Sequence, residues 1–169
     1  MSILEQVSQV DWAGMGTPRV PDWIEGLLSD NADERNNAYS ELVNQHFALQ
    51  DCADCTAACT EEELIRVMKG ETIYKLVPFL IHILRDQTVA DRNKAIVLAI
   101  LTDLLRFHRV RDCLFTEWLD TYNTYMRRLY ELVAEGIDIY KLLQENHASW
   151  LREEATLVLE FLDPDFLFG

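Results

Sequence analysis

With 169 residues, a formal net charge of −14 and a pI near 4.5, the chain is long enough for one domain with a real core and too apolar for disorder. Its acidity argues against nucleic-acid and anionic-membrane binding, and favours basic or neutral partners or simple solubility. No run of 18 apolar residues offers a membrane span; the densest apolar stretch, Ala95 to Leu101, suits a buried helix.

In chain order, residues 1–18 form a lead-in in which Ile3, Val7, Val10 and Trp12 suit a short amphipathic helix, broken at Gly14 and Gly16. Pro21 belongs in the first turn of a helix through Trp23, Ile24, Leu27 and Leu28, which Asp30-Asn31 closes. A second helix from about Asp33 to Leu49 puts Ala38, Tyr39, Leu42, Val43 and Phe47 on one face. Residues 50–60 hold Cys52, Cys55 and Cys59. Thr60 and Glu63 then read as a capping box for a helix to about Lys69, ended by Gly70.

The apolar spacing predicts a helix over 72–85, with Pro78 expected to bend it or break its first turn. A helix over 89–107 is apolar nearly all round, as expected of one covered on both sides. Leu114 to Ala134 is amphipathic and stops at Gly136. Ile137 to Leu143 and about Ser149 to Leu162 complete the helices, the last ending before Pro164. The apolar tail from Asp165 to Gly169 has two readings, a cap over the last helix or a partner contact.

One pattern occurs three times: an apolar helix end, an acidic turn, and an arginine opening the next apolar helix. It runs through Leu27-Leu28-Ser29-Asp30 and Arg35, through Ile83-Leu84-Arg85-Asp86 and Arg92, and through Leu142-Leu143-Gln144-Glu145 and Arg152. The arginines lie 57 residues apart (35 to 92) and 60 apart (92 to 152). A helix pair cannot bury its apolar face alone, so recurring pairs imply stacking into a solenoid. The acid–arginine turns Asp30/Arg35, Asp86/Arg92 and Glu145/Arg152 therefore read as scaffold, with each arginine reaching an acid in its own or the neighbouring turn.

Other chemistry is sparse. Cys52-x-x-Cys55 and Cys59 offer soft ligands that Cys113, His46 or His108 could complete for Zn²⁺. The same spacing also puts the three on one helix face, where free cysteines pack as small hydrophobes. Structural packing is the preferred reading, with metal binding and redox sensing as alternatives. His46, His82, His108 and His147 are scattered, and no nucleophile elbow, phosphate loop or dinucleotide fingerprint occurs. The expectation is therefore no catalytic residue, no cofactor and no enzyme. Arg106, His108, Arg109 and Arg111, with Arg127-Arg128, are the basic patches, expected to balance acidic neighbours within the fold. An exposed tryptophan among Trp12, Trp23, Trp118 and Trp150 would be a natural binding anchor.

Val10-Asp11-Trp12, Val20-Pro21-Asp22-Trp23-Ile24, Leu28-Ser29-Asp30 with Arg35-Asn36-Asn37-Ala38, Val77-Pro78-Phe79-Leu80, and Gly136 with Leu142-Leu143, Arg152 and Ala155 together resemble HEAT repeats, and more narrowly a group of small bacterial HEAT-repeat proteins. The resemblance covers most of residues 10–162 and departs from the group at 50–60. It implies an interaction scaffold, with immunity and assembly factors among its members. A few HEAT-like proteins are DNA glycosylases, which need a basic groove that a charge of −14 disfavours.

The expected fold is all-α: a right-handed α–α superhelix, or HEAT-like solenoid, spanning 1–169. It has about three helix pairs (about 20–49, 72–107 and 137–162), flanking helices, and a cysteine-containing insertion at 50–60. The expected function is binding a protein partner, basic in character, on an acidic concave surface lined by the second helices. The contact candidates, taken as solvent-facing, are Asn37, Glu41, Asn44, Asn93, Lys94, Asp103, Glu153 and Glu160. The alternatives are an immunity-type inhibitor of a toxin and a metal or redox sensor built on Cys52/Cys55/Cys59. No nucleic acid or membrane partner is expected. With no basic region followed by an apolar run at the start, cytoplasmic residence is the default expectation.

Overall fold

The computed structural model describes residues 1–46, 61–107 and 114–163; for 44–46, 61, 63 and 64 the description covers the backbone alone. The expectations on Phe47, the cysteine segment, the Thr60–Glu63 capping box, residues 108–113 and the tail after Asp163 lie outside that description. Among the described residues every regular element is helical.

The first helix, α1 (Ile3–Ser8), starts at a reciprocal cap. The Glu5 N–H donates to Ser2 Oγ at 3.2 Å, and the Ser2 N–H donates to Glu5 Oε2 at 2.6 Å. That satisfies two of the orphan donors at a helix start. Pro21 sits in the first turn of α2 (Val20–Leu28), where its missing N–H costs nothing. Helix α3 (Ala32–His46) begins with Asp33 and Glu34 at the positive end of its dipole. Gly70 follows α4 (Glu61–Lys69).

Helix α5 (Thr72–Arg85) runs unbroken through Pro78, so of the expected bend or broken first turn the break does not occur. The proline ring is exposed, so the lost ladder bond falls on the solvent side. Helix α6 (Asp91–Leu105) is followed, after a 3₁₀ turn at Thr116–Trp118, by α7 (Leu119–Ala134), α8 (Ile137–Gln144) and α9 (Ser149–Phe161). Gly136 is needed at the α7–α8 corner: the Tyr140 hydroxyl donates to the Val133 carbonyl at 2.9 Å, and a Cβ at position 136 would fall 2.3 Å from that hydroxyl.

Helix α6 is the hub. It packs on α9 and α3, and also touches α2, α5 and α7. Val97, Leu98, Ile100, Leu101, Leu104 and Leu105, pointing in several directions around it, are all fully buried. Each contributes about 1.5–3 kcal/mol relative to exposure. Around this hub α2 packs on α3, α8 on α9, and α5 on α6 and α7, while α1 rests on α2 and α5. No helix among the described residues is long and apolar enough to cross a membrane.

Candidate functional site: an acidic groove along α2 and α3

The first helix pair is drawn together at one glycine. Gly26 faces Ala38, and a Cβ at position 26 would lie 2.7 Å from the Ala38 Cβ. Two polar stripes flank this close approach. On α3 they are Glu34, Asn37 and Glu41, at the i, i+3, i+7 spacing that shares a helix face; on α2 they are Asp22 and Glu25. Between them runs a groove of about 640 Å³, reached also by Arg19, Leu4 and Leu28.

Trp23 is only 2% exposed, and its ring supports the groove from beneath. Its indole Nε1–H donates to Glu41 Oε2 at 2.9 Å, and Arg19 Nη1 approaches the same oxygen at 2.8 Å. Ser29 Oγ donates to Glu34. Asp22 lies 3.7 Å from Arg19. Among the described residues, four carboxylates therefore rim the groove against one guanidinium.

Of the residues expected at the surface, Asn37 and Glu41 line this groove, Asn37 exposed and Glu41 half-buried. Asn44 follows on α3 with its side chain outside the description. Glu153 and Glu160 are exposed on α9, which takes no part in the groove.

Asn93, Lys94 and Asp103 are corrections: all three are buried, at 2%, 7% and 7% exposure. The cause is the covering of α6 on several sides. Asn93 Nδ2 donates to the Leu27 carbonyl at 2.7 Å and to the Ser29 carbonyl at 3.0 Å, closing the C-terminal end of α2. Lys94 is buried on the same stretch of α6, near enough to Asp86 for its charge to help hold that carboxyl below the usual range. Asp103 accepts from the Tyr39 hydroxyl on α3 and pairs with Arg106 Nη1 at 3.0 Å.

That last group is a second charged cluster, across α3, α6 and α9. Burial first, then the hydrogen bond to Asp103, pushes the Tyr39 hydroxyl far above its ordinary range. Burial, then repulsion from Asp103, raises the Glu154 carboxyl. The Arg106 guanidinium also lies 5.9 Å from the centre of the Phe161 ring.

The arginine turns hold a scaffold, though not by the pairings within each turn. Arg92 Nη2 reaches Asp30 Oδ1 at 2.6 Å, in the neighbouring turn. Asp86 instead accepts from the Thr88 N–H and hydroxyl, which hold its carboxyl below the usual range. Arg35 is buried and donates from Nη1 to the Ser29 carbonyl at 2.9 Å. Among the described residues no hydrogen bond or ion pair engages the Arg152 guanidinium. Of the basic patches, Arg106 pairs with Asp103, and Arg128 pairs with Glu71 at 3.3 Å and lies 3.7 Å over the Tyr74 ring; His108, Arg109 and Arg111 lie outside the described residues. Of the tryptophans, Trp12 and Trp23 are core, Trp118 is half-buried beneath Lys69, and Trp150 is 46% exposed on α9.

The groove is a relation between two helices that the sequence expectations do not contain. The stripe Glu34, Asn37, Glu41 facing Asp22 and Glu25 across Gly26 and Ala38 was the signal available for it. Among the described residues no group of three His, Cys, Asp or Glu side chains is arranged to hold a metal ion. Compared with known proteins, the chain matches no family model, no curated protein and no solved structure.

Proposed function

We propose that the protein is a non-enzymatic, cytoplasmic protein-binding module, built as a HEAT-like α–α superhelix of three helix pairs, α2/α3, α5/α6 and α8/α9. The packing of the second helices in sequence, α3 on α6 and α6 on α9, supports the stacking. The observation that carries the function is the groove on the first pair: an apolar floor with four carboxylates at its rim. It suits a basic segment of a partner protein, presenting lysine or arginine around a small apolar contact. The same charge repels phosphate backbones.

This moves the binding surface from the buried middle of the second helices to the α2/α3 edge. The test is a footprint. Hydrogen exchange on the purified complex should show protection concentrated on residues 20–41. Protection confined to α8 and α9, around exposed Leu142 and Trp150, would place the partner elsewhere. A toxin as the partner would specialise the reading to an immunity-type inhibitor without moving the site.

A further inference from the structure

The groove of the first helix pair already holds a cation from this chain. Arg19 immediately precedes α2, on one wall, and Glu41 stands on α3, the other wall. Their ion pair, Arg19 Nη1 to Glu41 Oε2 at 2.8 Å, therefore bridges the two walls. Glu41 is held from beneath: the indole of Trp23, 2% exposed, donates to the same oxygen at 2.9 Å. A carboxylate fixed by a buried donor keeps its place when its cation leaves, whereas the Arg19 side chain is half-exposed. On a second edge, the guanidinium Nε lies 3.7 Å from Asp22 Oδ2. Two carboxylates thus bracket one planar group from two edges, an arrangement that a guanidinium fits and the compact charge of an ammonium does not reproduce.

We propose that Arg19 is a resident stand-in for an arginine of the partner, and that binding exchanges one guanidinium for the other on Glu41 and Asp22. The inference rests on the reading of the groove as a site for a basic segment. It adds to that reading the identity of one partner side chain and a competitor built into the chain. The exchange is open to a partner because an exposed ion pair contributes little stability. It also discriminates: a segment with no arginine at this place must either leave Arg19 on Glu41 or strand the carboxylate.

The probes are acetylated tetra-arginine amide and acetylated tetra-lysine amide, titrated into the full chain. Heteronuclear NMR follows the Trp23 indole N–H, which reports on Glu41. Tetra-arginine should shift that signal saturably. Arg19→Ala should tighten its binding by about two- to fivefold, the weight of an exposed ion pair, and tetra-lysine should gain less. Arg152→Ala removes the same charge from an exposed position on α9, outside the groove, and should leave the affinity near that of the parent. In Glu41→Gln, whose amide oxygen still accepts from the indole, Arg19→Ala should bring no gain.

Equal gains from Arg19→Ala and Arg152→Ala, or a gain that survives Glu41→Gln, would overturn the exchange while leaving the groove as the binding site. An equal gain for both probes would overturn the choice of arginine. No shift of any signal from residues 20–41 with either probe would instead count against the groove itself, and the exchange would fall with it.

Discussion

Arg92, in the first turn of α6, reaches back 62 residues to Asp30, with Nη2 2.6 Å from Oδ1, rather than to the acid of its own turn. The next residue makes the same crossing from inside the core: Asn93 holds the last carbonyls of α2. Successive helix pairs are thus joined turn to turn, by an exposed ion pair and a buried amide side by side. Their energetic weights differ sharply. The Arg92 and Asp30 side chains are 52% and 91% exposed, so Arg92→Ala should change stability by no more than about 0.5 kcal/mol. Asn93→Leu strands the Leu27 carbonyl and should cost about 1–3 kcal/mol. Urea unfolding of both variants checks the contrast, and equal losses would refute it.

Gly26→Ala places a methyl 2.7 Å from the Ala38 Cβ and must push α2 from α3. A loss of about 1–3 kcal/mol is expected from overpacking, read as a drop in the unfolding midpoint. A neutral result would mean that the two helices are not held at this separation.

Tyr125 is buried between Tyr74 and Phe107, and among the described residues its hydroxyl has no hydrogen-bond partner. Tyr125→Phe removes a desolvated hydroxyl without changing the ring, so it should be neutral or stabilising. A loss above about 1 kcal/mol would reveal a partner for the hydroxyl, such as an enclosed water.

Burial, then repulsion from Asp103, raises the Glu154 carboxyl above its unfolded value. The folded state therefore holds that proton more tightly. The contribution is fully present below the unfolded pKa and is lost as pH rises through the folded pKa. Asp86 and Asp138 act oppositely, lowered by hydrogen bonds from Thr88 and from Arg85. Their contribution is present above the unfolded pKa and is lost as pH falls through the folded one. Glu154→Gln should thus unfold at higher temperature than the parent at neutral pH, with the gap narrowing on acidification. A gap independent of pH would place the effect elsewhere.

Most helix positions were legible because local chemistry marks their ends: Pro21 in a first turn, Gly70 and Gly136 at stops, and apolar spacing between them. The Ser2–Glu5 capping box is equally readable in form. At Pro78 the helix does not break, because it tolerates a proline whose lost bond faces water. Asn93 and Asp103 misled for a deeper reason. Polarity predicts exposure only when no neighbouring carbonyl or hydroxyl needs a partner, and α6, wrapped by five helices, supplies such partners inside the core. The groove depends on Gly26 meeting Ala38 across two helices, a relation that periodicity within either helix does not contain.

The central claim is that the α2/α3 groove binds a basic partner. The most direct measurement is affinity capture from the native host with the parent chain and with Glu25→Lys/Asn37→Lys, read by mass spectrometry at low and moderate salt. Both positions are exposed, so the variant should fold normally. The account predicts one stoichiometric basic protein, captured by the parent, weakened as salt rises and lost with the variant. The same protein captured equally by both chains, at either salt, would contradict it.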